Sequence, residues 1–187
     1  MIKTWTKDYN IRTKRQFHFL KKSSEDFDFW DKNSRNNRYF FYYKNKKYPI
    51  KKIFKMFPIK SVIDYGCGYG NSLYDCEVDI FRYDPFVEQF KQRPTKSADL
   101  VISNNVINTI EQEYLETVLE DIYNLTNKYI IINTVCVNID CLRYRIKKIF
   151  NFFQKKKVKI LSCNIEKRPW FFSPNIDNNV VFLLMEK

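Results

Sequence analysis

The stretch D-Y-G-C-G-Y-G, residues 64–70, contains all three glycines of a chain of 187 residues. Glycine suits backbone that takes a positive φ, or that must let another group contact the main chain. The stretch begins inside S-V-I-D-Y, residues 61–65, a β-branched run typical of a buried parallel strand. We therefore predict a strand that ends in a loop shaped to meet a ligand.

The rest of the chain predicts strands that alternate with helices. Strands are expected at residues 78–83, 98–103 and 129–135, with two more at 157–165 and 180–185 joined by a long loop. Residues 71–77 have room for about two helical turns. A capping box at Thr109–Gln112 is expected to begin one amphipathic helix, and apolar spacing predicts another over residues 142–153. The polar face of that second helix is predicted to carry Arg143, Arg145, Lys147, Lys148 and Lys155.

This alternation predicts an α/β fold, in which helices cover a mostly parallel sheet that ends in an antiparallel hairpin. Ligands of such sheets bind at the carboxyl ends of the strands. Residues 64–70, Asp84 and residues 103–105 all fall at such ends. The spacing G-x-G-x-G disfavours the G-x-G-x-x-G loop of dinucleotide-binding folds, and the absence of a following lysine disfavours a P-loop.

These motifs resemble those of the class I S-adenosylmethionine-dependent methyltransferases. The family has an acidic residue and three alternating glycines after its first strand, matched by Asp64 through Gly70. An acidic residue ends its next strand, matched by Asp84, and a D-L-V stretch with later apolar positions is matched from Asp99 to Ile110. The resemblance covers residues 60–187 and implies a Rossmann-like class I methyltransferase fold. Residues 1–59 then form a separate N-terminal cap. Residues 85–97 offer only Glu88 for the family's acidic marker near the third strand, so we predict a reduced third strand.

The resemblance implies S-adenosylmethionine as cofactor. Because this cofactor lacks phosphates, it needs close backbone approach, which Gly66 and Gly68 would permit. Asp84 is suited to the ribose hydroxyls and Asp64 to the cofactor's ammonium group or the loop amides. The alternatives are that Asp84 is a turn residue before proline and that the asparagines after the third predicted strand are solvated. The implied cofactor-binding residues are Asp64, Tyr65, Gly66, Cys67, Gly68, Gly70, Asp84, Pro85, Ser103, Asn104 and Asn105.

The positive charge is confined to one part of the chain. Residues 1–60 hold 17 Lys/Arg and 5 Asp/Glu, whereas residues 61–187 hold 16 of each, so the net charge of +12 lies in the first third. The same 60 residues hold 15 of the aromatic side chains. Basic residues mixed with aromatics favour a nucleic acid. An amphipathic helical cap, with Ile50, Ile53 and Phe54 on the sheet and the lysines in solvent, accounts for the same pattern.

The remaining composition excludes several classes of protein. Five cysteines without a C-x-x-C pair and a single histidine predict no metal site and no disulfide framework. The apolar runs are too short for a membrane span, and the N-terminus lacks the apolar core of a signal peptide, so we expect a cytoplasmic protein.

The methyl acceptor is not identified by the sequence. Methyl transfer needs mainly proximity and orientation, so no catalytic residue is assigned. The D/N-P-P-Y/F motif of amino-group DNA methyltransferases and a Pro-Cys nucleophile are both absent. The hypotheses are a methyltransferase for nucleic acid or another anionic acceptor, one for a small molecule or protein, and a non-catalytic cofactor- or RNA-binding module. His18 and Trp170 are candidates for the acceptor side, with a structural role as the alternative.

Overall fold

The computed structural model describes residues 40–68, 77–136, 139–170 and 173–187. The described chain begins with an antiparallel hairpin of β1 (Phe40–Tyr43) and β2 (Lys46–Pro49). Its two-residue turn has φ values of 50° at Lys44 and 60° at Asn45, the left-handed conformation that tight hairpin turns require. A 3₁₀ turn (Ile50–Lys52) and a single helical turn, α1 (Ile53–Met56), lead into the main sheet.

Six strands of the described chain form the main sheet. They are β3 (Ser61–Tyr65), β4 (Asp79–Tyr83), β5 (Ala98–Asn104), β6 (Thr126–Cys136), β7 (Lys159–Trp170) and β8 (Ser173–Glu186). Their order across the sheet is β4-β3-β5-β6-β8-β7. The first four pair in parallel, and β8 pairs antiparallel with both β6 and β7. Two described helices connect strands of this sheet, α2 (Leu115–Asn124) before β6 and α3 (Ile139–Lys155) after it.

Both faces of the sheet are covered. Side chains alternate between the two faces along each strand. One face packs against α2 and α3, where the core includes Val101, Ile132, Leu119 and Phe153. The other face packs against the N-terminal hairpin and α1, through residues such as Phe41, Ile50, Ile53, Leu100 and Ile131. We call these the helix face and the hairpin face.

The predicted α/β architecture is confirmed, including the parallel strands, the antiparallel C-terminal pair and the reduced third strand. All of residues 85–97 are described, and they contain a 3₁₀ turn at Glu88–Phe90 but no strand. Residues 40–59 pack on the sheet as a cap, while the boundary at residue 59 stays a prediction.

Two local predictions are wrong. Helix α2 begins at Leu115, and the hydroxyl of Thr109 donates to the carbonyl of Val106 at 2.7 Å, so residues 109–112 are not a capping box. The described part of the predicted long loop is mostly strand, because pairing of β7 with β8 continues to Pro169 and Asp177. The aromatic run after residue 39 forms β1, since its alternating side chains can pack on the sheet.

No helix in the described parts of the chain has the length and apolarity that spanning a bilayer requires. The two described free cysteines, Cys67 and Cys163, form no disulfide, as predicted for them. The predicted helical turns after residue 70, Gly70 itself and His18 lie outside the described residues.

Candidate functional site at the carboxyl edge

The glycine loop is tied to the end of β4 by backbone hydrogen bonds. The amides of Gly66 and Cys67 both donate to the carbonyl of Tyr83, at 2.7 and 3.1 Å. The amide of Gly68 donates to Oδ2 of Asp84 at 3.0 Å. Loop and strand end therefore form one unit, as expected for adjacent parallel strands whose carboxyl ends meet at one edge.

Gly66 is required by packing inside the protein. Its φ is +74°, and a Cβ placed on it would lie 2.2 Å from Cγ2 of Val106, in the loop that follows β5. The space that we predicted for cofactor approach at Gly66 is thus filled by Val106. The sequence pattern does not show which group approaches a glycine, and cofactor binding at Gly66 stays a prediction.

Gly68 differs from Gly66. Its φ is +57°, and no described atom lies within 4 Å of the position that a Cβ would take. An open space beside a left-handed glycine is what a ligand that contacts the backbone needs. Of the two described glycines, Gly68 is the one with room for a ligand.

Asp84 lies buried beside this space. Its Oδ2 accepts the amide of Gly68 and its Oδ1 accepts the amide of Phe86 at 2.9 Å. Burial raises the pKa of Asp84, and the amides of Phe86, Gly68 and Val87 partly oppose that rise. A carboxylate offers about four acceptor positions, so two amide bonds leave capacity for two more donors. Pro85 is half-buried beside it.

Asp64 is buried on the hairpin face, next to Arg82 on β4 and Ile102 on β5 in the strand register.

The thiol of Cys67 interacts electrostatically with the carboxylates of Asp64 and Asp84. Burial is the largest cause that raises the pKa of this thiol, and the negative charges of Asp64 and Asp84 raise it further. The thiol therefore stays protonated and is not suited to act as a nucleophile.

The side chain of Tyr65 forms a hydrogen bond within the fold. Its hydroxyl donates to Oδ2 of Asp121 on α2 at 2.8 Å, and burial with this carboxylate raises its pKa. Arg93 pairs with Oδ1 of the same carboxylate. The side chain of Tyr65 thus joins β3 to α2, and cofactor binding by Tyr65 stays a prediction. The Arg93 pair likewise fastens residues 85–97 to the helix.

The end of β5 brings further polar groups to the edge. Ser103 is fully buried on the helix face, and its Oγ has no hydrogen-bond partner in the described structure. Asn104 is half-buried, whereas Asn105 is exposed with φ of 58°. The amide of Asn105 donates to the carbonyl of Asn133 at 2.8 Å. Of the two asparagines for which solvation was the alternative, Asn105 is thus solvated and Asn104 is half-buried in the strand.

Sequence reasoning missed several polar groups at this edge. Asn133 and Thr134 near the end of β6, Asn108 after β5, and Arg145 on α3 each have a buried side-chain atom without a hydrogen-bond partner in the described structure. Arg145 was predicted on the polar face of α3 but is buried. The sequence does indicate its burial, because Arg145 lies four residues before Ile149 and so falls on the apolar stripe of the helix.

The described residues contain no cluster of three or more His, Cys, Asp or Glu placed to hold a metal ion. The residues around Gly68 and Asp84 do fit the cofactor implied by the motifs. They provide a backbone position with no described atom in place of a side chain and a buried carboxylate with free acceptor capacity.

No protein-family model and no curated protein sequence matches the chain significantly. Solved structures do match its fold. TehB from Haemophilus influenzae is 18% identical with a TM-score of 0.57, and the match covers 73% of this chain and 60% of TehB. Magnesium protoporphyrin IX methyltransferase (ChlM) from Synechocystis PCC 6803 with bound SAH is 13% identical with a TM-score of 0.51, covering 67% of this chain and 73% of ChlM. TnmH is 12% identical with a TM-score of 0.51, covering 73% and 52%.

These likenesses confirm the predicted fold. At such low identities they establish the arrangement of strands and helices and leave the reaction to be argued from the site. The chain also spans only about 60% of the length of TehB.

Proposed function

We propose that this protein is an S-adenosylmethionine-dependent methyltransferase with an anionic acceptor. The observation that carries the proposal is the left-handed Gly68, beside which no described atom fills the place of a side chain, joined by its amide to the buried carboxylate of Asp84. This pair lies where open α/β sheets bind their ligands. The sulfonium of the bound cofactor supplies an activated methyl group for in-line displacement.

Each described residue of the site has a role that follows from its geometry. The two oxygens of Asp84 keep the loop in place through the amides of Gly68 and Phe86, and their remaining lone pairs accept the ribose hydroxyls. The backbone of Gly68 lets the ligand approach closely. The buried carboxylate of Asp64 favours the cofactor's ammonium group. The protein then contributes mainly proximity and orientation, which such a reaction requires.

The first test is ligand binding followed by transfer. Calorimetry should show S-adenosylhomocysteine binding and no comparable binding of NAD or ATP. Gly68→Val should abolish that binding, because the side chain enters the open space. The variant must remain folded by circular dichroism, since a valine at φ of +57° is itself strained by about 1–2 kcal/mol. Transfer of a labelled methyl group to RNA, DNA, protein or metabolite pools then identifies the acceptor. Cofactor binding without transfer to any pool supports the non-catalytic module instead.

The charge of the N-terminal cap supports an anionic acceptor. Residues 40–59 contain six lysines and no acidic residue. Within the described structure only Lys47 among them forms an ion pair, with Glu166 at 2.9 Å. Lys44 lies over the ring of Tyr43 and Lys52 over that of Tyr48, at 5.4 and 5.8 Å. The cap therefore presents cations and aromatic rings together, as proteins that bind single-stranded nucleic acids do.

The cap also reaches the candidate site. Nδ2 of Asn133 donates to the carbonyl of Phe40 at 3.1 Å, which places the first described residue of the cap at the carboxyl end of β6. Asn133 is the register partner of Asn104 on β5. An acceptor held by the cap therefore has a short path to the edge where the methyl group would be presented.

Nucleic acid is the acceptor class that the cap favours, and salt dependence tests it. Binding of single-stranded RNA should weaken linearly in log affinity with log salt. A variant with Lys44, Lys46, Lys51, Lys52 and Lys55 changed to glutamine should flatten that slope by up to about 0.7 per lost phosphate contact. It should leave the affinity for S-adenosylhomocysteine unchanged.

A second variant with the same change of charge controls for net charge. In it, five lysines from other parts of the described chain are changed to glutamine: Lys128, Lys148, Lys155, Lys156 and Lys159. Equal slopes in the two variants would contradict a role for the cap. If the cap variant loses RNA binding but keeps full turnover, the acceptor is a small molecule or a protein.

A further inference from the structure

Arg145 is a buried cation with an unusual set of partners. It lies on the second turn of α3 and is 8% exposed. Its Nη1 donates to the carbonyl of Ile107 at 2.6 Å, and its buried Nε–H has no hydrogen-bond partner in the described structure. A guanidinium carries five N–H donors and a full positive charge. One neutral carbonyl does not compensate the burial of such a charge.

The acidic residues of α2 do not supply the missing partner. Glu116 pairs with Lys148 at 3.4 Å and Glu120 pairs with Lys156 at 2.8 Å. Asp121 forms an ion pair with Arg93. Within the described structure, Arg145 forms no ion pair, whereas Arg93, Lys148 and Lys156 are each paired with an acidic residue of α2. The fold therefore brings a positive charge under the carboxyl edge, and the described residues provide no carboxylate for it.

Other polar groups of the same region also lack partners. Ser103 and Thr134 share the helix face with α3, and the hydroxyl oxygens of both are buried without a hydrogen bond in the described structure. Asn108, which directly follows the residue bonded by Arg145, has a buried Oδ1 in the same state. Buried polar groups are normally paired, so a group of them at one edge indicates a missing partner.

We propose that Arg145 receives an oxyanion of the methyl acceptor, a carboxylate or phosphate oxygen that enters beneath the loop after β5. Planar guanidinium groups bind such oxyanions by two parallel charge-assisted hydrogen bonds. With one Nη already used by the Ile107 carbonyl, Nε–H and the other Nη are the donors left for this pair. Hydroxyls and amides in the same region can donate further bonds to the oxyanion.

The position suits an acceptor. The loop that Arg145 bonds is the one whose Val106 packs against Gly66 of the glycine loop. A bound oxyanion would therefore lie one loop away from Gly68, the open position of the proposed cofactor site. This inference rests on the proposed function for the identity of the ligand, while the anion site itself can be tested without any transfer reaction.

The test is titration of the whole protein with inorganic phosphate, and separately with acetate, at constant ionic strength. The Nε–H resonance of Arg145 is followed by nuclear magnetic resonance and identified by its loss in Arg145→Lys. We expect the resonance to shift saturably with phosphate or acetate and not with chloride. Arg145→Gln should weaken phosphate binding, measured by calorimetry, by about tenfold or more, since a charge-assisted bidentate pair is lost.

Lys147→Gln is the matched control, because it removes the same charge from an exposed position of the same helix. It should keep the phosphate affinity of the wild type. If Arg145→Gln does not fold, the titration of the wild type still decides, and an Nε–H resonance that stays unchanged overturns the inference.

Titrations with saturating S-adenosylhomocysteine identify the ligand that the site serves. A phosphate-induced shift that persists supports a site for the acceptor. A shift that S-adenosylhomocysteine suppresses overturns that assignment, because the cofactor's own carboxylate would then occupy Arg145. If the cofactor product does not bind at all while Arg145 still responds to phosphate, the proposed function fails and the anion site stands.

Discussion

Two aspartates at opposite edges of the sheet have opposite pKa shifts. Asp99, at the start of β5, accepts the amide of Lys60 at 2.9 Å and pairs with Lys128 at 3.0 Å. These partners, the amide first, lower its pKa. Asp84, at the end of β4, has its pKa raised by burial. The same side chain is thus stabilised as an anion at one edge and disfavoured as an anion at the other.

The difference extends to the other polar groups of the two edges. At the amino edge Ser97 bonds Asn127 at 2.6 Å, and Nζ of Lys187 donates to the carbonyls of Tyr123 and Thr126 at 3.0 and 2.7 Å. At the carboxyl edge the buried groups of Ser103 and Arg145 have incomplete sets of partners in the described structure. The polar groups of the amino edge hold the fold together, whereas the unpaired groups of the carboxyl edge are the ones for which we propose a ligand.

The largest expected effect is on cofactor affinity at Asp84. Asp84→Ala removes the acceptors that we propose for both ribose hydroxyls and releases the amide of Gly68. It should weaken binding of S-adenosylhomocysteine by about 2–4 kcal/mol, or roughly 30-fold to 1000-fold, as measured by calorimetry. Asp99→Ala is the control and should bind normally. Wild-type affinity in Asp84→Ala would remove the distinction between the two edges.

The next effect is on stability at Asp99. Asp99→Ala releases the amide of Lys60 and the ammonium of Lys128. It should lower the free energy of unfolding by about 1–3 kcal/mol in urea denaturation, because hydrogen bonds to charged groups are lost. Asp99→Asn, which can still accept from Lys60, should lose less. An equal loss in both variants would show that the ion pair with Lys128, and not the backbone bond, matters.

A smaller effect is expected on the pH dependence of the two edges. Since the pKa of Asp99 is lowered by folding, its contribution to stability is full above the unfolded pKa of about 3.9 and is lost as pH falls through the folded pKa. Since the pKa of Asp84 is raised by folding, its protonation begins at higher pH and favours the folded state as pH falls. Protonated Asp84 accepts hydrogen bonds less well, so cofactor affinity should decline at a higher pH than stability does.

Urea denaturation and calorimetry over a pH series measure the two profiles. Asp99→Asn should flatten the acid limb of the stability profile alone, and Asp84→Asn that of the affinity profile. A single pH profile shared by stability and affinity would contradict the separation of the edges.

The smallest effect is expected at Ser103. Its buried hydroxyl has no partner in the described structure, so Ser103→Ala removes an unpaired polar group instead of a hydrogen bond. The change in unfolding free energy should stay within about 1 kcal/mol and can be stabilising. Thermal unfolding measures it. A loss of several kcal/mol would mean that the hydroxyl is bonded within the fold, and the carboxyl edge would then resemble the amino edge.

The positions of most strands along the chain could be predicted because their signals are local. The run at residues 61–65 and the glycines after it predict strand and loop without knowledge of the rest of the chain. The fold at residues 98–104 follows in the same way from a continuous apolar segment, which is typical of a parallel strand with both faces covered. Pro94 and the lack of either helical or strand periodicity indicate that residues 85–97 contain no strand.

The site could be predicted in position but not in the partners of its residues. Alternating glycines indicate close approach, yet only the structure shows that Val106 approaches Gly66 while Gly68 stays open. Tyr65 lies in the motif, but its hydroxyl meets Asp121, which is 56 residues away in the chain. Such pairings depend on how helix and sheet pack, and a single sequence carries no direct signal of them.

The contact between Gly66 and Val106 has a consequence for how two ligands would influence each other. The methyl groups of Val106 occupy the space of a missing side chain, so the loop after β5 cannot shift far without displacing the loop after β3. An acceptor that moves the first loop and a cofactor that moves the second would then share one conformational equilibrium. By thermodynamic reciprocity, each ligand must change the affinity of the other by the same factor.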